Sequence, residues 1–134
     1  MKIIKMFKPA LLLTLIFYQG TATAYSPEEQ EKLCKKPRFT DFNLSEYIAP
    51  SNIETPPESE FIIKVSDWAD PSTIKLTVKK QPLEFTVQST STFHKITAKL
   101  PASLNGNFAR IDVSAKAVSG CSDKTGWLIK VANP

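Results

Sequence analysis

The stretch Thr73-Ile74-Lys75-Leu76-Thr77-Val78-Lys79-Lys80-Gln81-Pro82-Leu83-Glu84-Phe85-Thr86-Val87-Gln88 decides the fold class. Ile74, Leu76 and Val78 alternate with Lys75, Thr77 and Lys79. After a break at Lys80-Gln81-Pro82, Leu83, Phe85 and Val87 alternate with Glu84, Thr86 and Gln88. Period-two alternation is the pattern of strands with one face on a core and one in water. A helix would carry a sustained apolar stripe of period 3.6, and neither half of the stretch departs from alternation to form one.

Working outward, the same period recurs. Phe61, Ile63 and Val65 share a face ahead of an expected turn at Trp68-Ala69-Asp70-Pro71-Ser72. After a turn at Ser89–Ser91, Phe93 to Leu100 carries Ile96, Ala98 and Leu100 inward. Ala109, Ile111, Val113 and Ala115 follow a corner at Pro101–Gly106, and Trp127, Ile129 and Val131 form a last face. Phe39–Phe42 reads as a short first strand, and Asn43–Ser59 as an irregular crossing rich in Pro, Asn, Ser and Glu. About seven strands, all locally connected and none alternating with a helix, predict an all-β antiparallel sandwich.

The first residues read as a cleaved secretory signal. Lys2, Lys5 and Lys8 precede a short apolar run, Ala10 to Tyr18, and Ala22-Thr23-Ala24 supplies a small-x-small cleavage site. The run is shorter than the roughly 20 residues of a membrane span. The expected division is a signal peptide at 1–24 and one domain at 25–134, with no transmembrane segment in the mature chain. Within it, 25–37 is expected to be a helical extension begun by Ser26, Pro27 and Glu29 as a capping box. Removing three lysines from 17 Lys+Arg leaves 14 against 13 Asp+Glu, net +1. The basic balance of the full chain therefore belongs largely to the targeting segment, and a nucleic-acid partner is not expected. The predicted location is periplasmic or secreted.

Two cysteines in an oxidising compartment predict a Cys34–Cys121 disulfide. Strand directions agree. If Phe61–Ser66 runs up and its successors alternate, the loops Asp67–Ser72, Ser89–Ser91 and Ser119–Gly126 share one end with the start of the first strand. Cys34 and Cys121 then fall at that end. Such a bridge stabilises by about 4.5 kcal/mol in the chain-entropy picture.

The corner Leu104-Asn105-Gly106-Asn107-Phe108 resembles the L-x-G-x-Tyr corner of bacterial immunoglobulin-like and fibronectin type III-like domains, with Phe108 at the tyrosine position. The likeness covers most of the mature chain as a strand rhythm and implies an Ig-like sandwich. It implies nothing specific about function.

No catalytic residue, cofactor or metal is expected. His94 is the one histidine and is read as a partly exposed strand residue. Asp67, Asp70 and Asp123 match no calcium-loop spacing. The expected function is a non-catalytic binding or accessory module for a protein or glycan ligand. Its candidate binding loops hold Asp67, Trp68, Asp70, Asp123 and Lys124, with Trp68 either exposed or folded over the sandwich end. The alternative is contact with an anionic lipid, glycan or polymer through a lysine-rich sheet face, Lys64, Lys75, Lys79, Lys95 and Lys99. A small hydrolase or metal carrier is the least favoured reading.

Overall fold

Alternating apolar residues give eight strands in the computed structural model, which describes residues 33–134. They are β1 (Phe39–Thr40), β2 (Glu60–Ser66), β3 (Ala69–Val78), β4 (Gln81–Pro82), β5 (Phe85–Ser89), β6 (Phe93–Lys99), β7 (Phe108–Ala117) and β8 (Ser122–Lys130). The signal segment and the helical turns expected from Ser26 lie outside the described residues. Every strand pair is antiparallel, in two four-stranded sheets ordered β1-β2-β6-β5 and β4-β3-β7-β8. Consecutive strands β2 and β3 belong to different sheets, so the chain crosses between the sheets at Asp67-Trp68.

The inner faces share one core. Phe61, Ile63, Val65, Ile96 and Ala98 come from the first sheet; Ile74, Leu76, Val78, Ile111, Val113 and Ile129 come from the second. Phe42, expected in the first strand but lying just past the end of β1, stacks on Trp127 at 4.3 Å and meets Phe61 edge-on at 5.9 Å, closing the core beside β8. The crossing segment also covers part of β8's free edge, where Tyr47 N donates to Leu128 O (2.9 Å) and Thr55 N to Lys130 O (2.8 Å).

Several expectations are corrected. The turn after β2 is two residues long, because Ala69 is buried and pairs with Ala117, so Asp70, Pro71 and Ser72 fall within β3. The register slips between Asp70 and Lys75, which absorbs the proline. Lys80-Gln81-Pro82 does not simply break the chain. Lys79 (φ 51°) and Lys80 (φ 64°) form a two-residue turn, and Gln81–Pro82 pairs back on β3 as β4, one strand more than the seven expected. Positive φ at both turn residues is the twist that a two-residue hairpin requires. Val87 sits on an edge strand and remains exposed. The last hairpin is tighter than expected. Ser122–Gly126 is strand, and only Val118–Cys121 turns, closed by Gly120 N to Ala117 O (2.9 Å). Phe108 starts β7 out of phase with the buried Ala109 and Ile111. It faces outward, edge-on to Tyr47 at 5.0 Å, rather than filling the core.

The Cys34–Cys121 disulfide is present, with Cα atoms 6.0 Å apart. It fixes the segment leading into β1 against the β7–β8 turn. Trp68 joins the same end: its Nε1 donates to Lys36 O (2.8 Å), and its carbonyl accepts from Val118 N (3.0 Å).

Candidate functional site

The register of β3, β7 and β8 builds a basic surface that sequence spacing does not reveal. Lys75 pairs with Ser114, and Ser114 with Lys124. Because Ile74, Leu76, Val113 and Ala115 point into the core, these three residues form one row across the outer face. Neighbouring strands lie about 4.8 Å apart, so the two lysine backbones are about 10 Å apart, with a serine between them. Lys116 stands in the next row, paired with Asp70 on one side and Ser122 on the other. Thr73 accepts from Lys116 N (2.9 Å) and donates to Asp70 O (2.6 Å), which joins β3 to β7 where the ladder slips. Together Lys75, Lys116 and Lys124 surround a concavity floored by the hydroxyl residues Thr73, Ser114 and Ser122.

The electrostatics favour an anion. Ion pairs among the described residues join Lys64 to Asp41, Arg110 to Asp112 and Lys130 to Glu54. None involves Lys75, Lys116 or Lys124. Among the described residues Asp123 is the one carboxylate lining the concavity, and its Oδ1 accepts the Lys124 backbone N–H (2.8 Å). Below the row, Arg110 and Asp112 neutralise each other at 3.0 Å. Gly126 makes room for that pair: a Cβ there would run into the Asp112 carboxylate and stand 2.9 Å from Ile111 O. The basic surface therefore ends at the Asp112–Gly126 row.

The expected binding loops separate. Asp67 is exposed in the β2–β3 turn, and Asp70 lies inside β3. The Asp70 carboxylate accepts from Ser72 Oγ (2.7 Å) and Ser72 N (3.0 Å), and these bonds hold its pKa below the ordinary 3.8. Trp68 is half-buried, with Lys35 Nζ 3.6 Å from its ring centroid, so it folds over the end of the molecule. Asp123 and Lys124 belong to β8 rather than to a loop; Lys124 stands in the outer-face row with Ser114, and Asp123 lines the rim of the same concavity.

The expected lysine face also divides. Lys64 and Lys95 oppose each other on the outer face of the first sheet, with Lys99 opposite Glu60. Lys64 is occupied by Asp41 (3.2 Å) and lies 4.5 Å from the Phe93 ring centroid. Lys75 stands on the other sheet, and Lys79 is in the β3–β4 turn. The concavity thus joins one lysine from each expected set, Lys124 and Lys75. Sequence reading passed over Lys116 and Ser114. Their own alternation with buried Val113, Ala115 and Ala117 placed them outward, but only the pairing register identifies their neighbours.

His94 is buried rather than partly exposed. Its Nε2 faces the carbonyl oxygens of Ala69 (3.0 Å) and Asp67 (3.3 Å), which only accept, so Nε2 carries the proton. Nδ1 lies 2.6 Å from Ser89 Oγ. The imidazole serves as a brace between strands. Among the described residues no group of three His, Cys, Asp or Glu side chains converges to hold a metal ion, and no helix is long and apolar enough to cross a membrane.

The chain matches no protein family, no curated protein and no solved structure.

Proposed function

We propose that this chain is a secreted or periplasmic, non-catalytic binding module of Ig-like architecture that holds an anionic polymer or surface on Lys75, Lys116 and Lys124. The strand order β1-β2-β6-β5 against β4-β3-β7-β8 supports the Ig-like reading, since it follows the A-B-E-D and C′-C-F-G sheets of such sandwiches. The intramolecular disulfide and the signal-like N-terminus support an oxidising compartment. The one histidine is bonded to backbone carbonyls and both cysteines are joined, so these groups act in the scaffold.

One observation carries the ligand class: three lysines with no carboxylate partner among the described residues, around a single hydroxyl-lined concavity. Binding of a sulfated polysaccharide tests it. Affinity is expected to fall steeply with salt, because exposed charges are screened. Reversing Lys75, Lys116 and Lys124 to Glu is expected to abolish binding, while reversing Lys64, Lys95 and Lys99 leaves most of it. The opposite pattern assigns the ligand to the first sheet and refutes the proposal.

A further inference from the structure

The two sheets have four edges, and three are blunted. β1 and β4 are two residues long, and β4 contains Pro82 directly after the Lys79-Lys80 turn. The free side of β8 is covered by Tyr47 and Thr55 along one part and carries Asp123 and Lys124 along the rest. Short length, proline, charge and a covering segment are the usual protections against edge-to-edge pairing. Among the described residues, β5 has none of them. Phe85–Ser89 runs five residues in unbroken register with β6, without charge, proline or bulge, and Thr86, Val87, Gln88 and Ser89 are all exposed. Val87 is 40% exposed at its centre.

We propose that β5 is a self-association seam, at which two copies of this chain pair antiparallel about a two-fold axis through Val87. Parity selects the register. Thr86 and Gln88 point to the outer face, while Phe85 and Val87 point to the core side. A pairing that keeps outer faces together must match even positions with even and odd with odd. The register centred on Val87 is the one of these that pairs all five residues. It sets Thr86 against Gln88 of the second copy, Phe85 against Ser89, and the exposed Val87 against its own equivalent. The nearest charged residue, Glu84, falls opposite Thr90 rather than opposite itself, so no like charges meet. Such a contact is isologous and closes as a dimer. The seam lies on the sheet that does not carry Lys75, Lys116 and Lys124. It leaves that surface open and does not depend on the ligand proposed for it.

Sedimentation equilibrium of the disulfide-bonded protein across the micromolar to millimolar range tests the seam. A reversible monomer–dimer equilibrium is expected. Val87→Lys places two like charges on the axis and weakens the dimer at least about tenfold. The double change Thr86→Lys/Gln88→Glu sets opposite charges across the seam twice and tightens it about fivefold. All three side chains are exposed, and circular dichroism checks that each variant is folded. Should Val87→Lys fail to fold, the double change still decides. A monomer throughout the range, a dimer indifferent to both changes, or capture of an extended peptide without self-association overturns the proposal.

Discussion

The Nε2 of His94, on β6 of the first sheet, lies 3.0 Å from the carbonyl oxygen of Ala69, on β3 of the second, so one side chain ties the two sheets together. The ring also reaches Ser89 of β5. It stands at the end of the sandwich where Trp68 meets Val118 and the disulfide pins the β7–β8 turn. His94→Val is expected to fit the strand but to leave a buried carbonyl and the Ser89 hydroxyl without their partner, lowering stability by about 2 kcal/mol. Chemical denaturation measures this, and a loss below about 0.5 kcal/mol contradicts the bracing role.

The disulfide holds residues 87 positions apart. Replacing Cys34 and Cys121 together by Ser is expected to lower stability by about 2–5 kcal/mol, the range for small secreted domains. Thermal unfolding against the oxidised wild type gives the answer. Equal midpoints mean that the contacts of Trp68 alone hold this end.

Lys79 and Lys80 both adopt the left-handed region, at φ 51° and 64°. That conformation disfavours residues bearing a Cβ, whereas Asn-Gly adopts it readily. Lys79→Asn/Lys80→Gly is expected to raise stability by about 1 kcal/mol without altering the fold. A lower unfolding midpoint contradicts the turn geometry.

The core was legible from alternation alone: Phe61, Ile63, Ile74, Leu76, Ile111 and Ile129 are all buried where period two placed them. His94 shares the phase of Ile96 and Ala98, but its polarity argued against burial until the facing carbonyls of Asp67 and Ala69 were known. The Lys-Lys turn escaped notice because lysine carries no turn preference; the flanking Val78–Gln81 pair imposes the backbone twist. The lysine surface was least visible. Lys75 and Lys124 become neighbours only through Ser114, and their pairing depends on the cross-strand register of three strands.

Amide NMR titration with a sulfated polysaccharide tests the central claim most directly. The predicted result is a set of shifts centred on Thr73, Lys75, Ser114, Lys116, Ser122 and Lys124, which weakens as salt is added. Shifts centred on Lys64, Lys95 and Lys99, or on the turns at Asp67-Trp68 and Val118–Cys121, would contradict it.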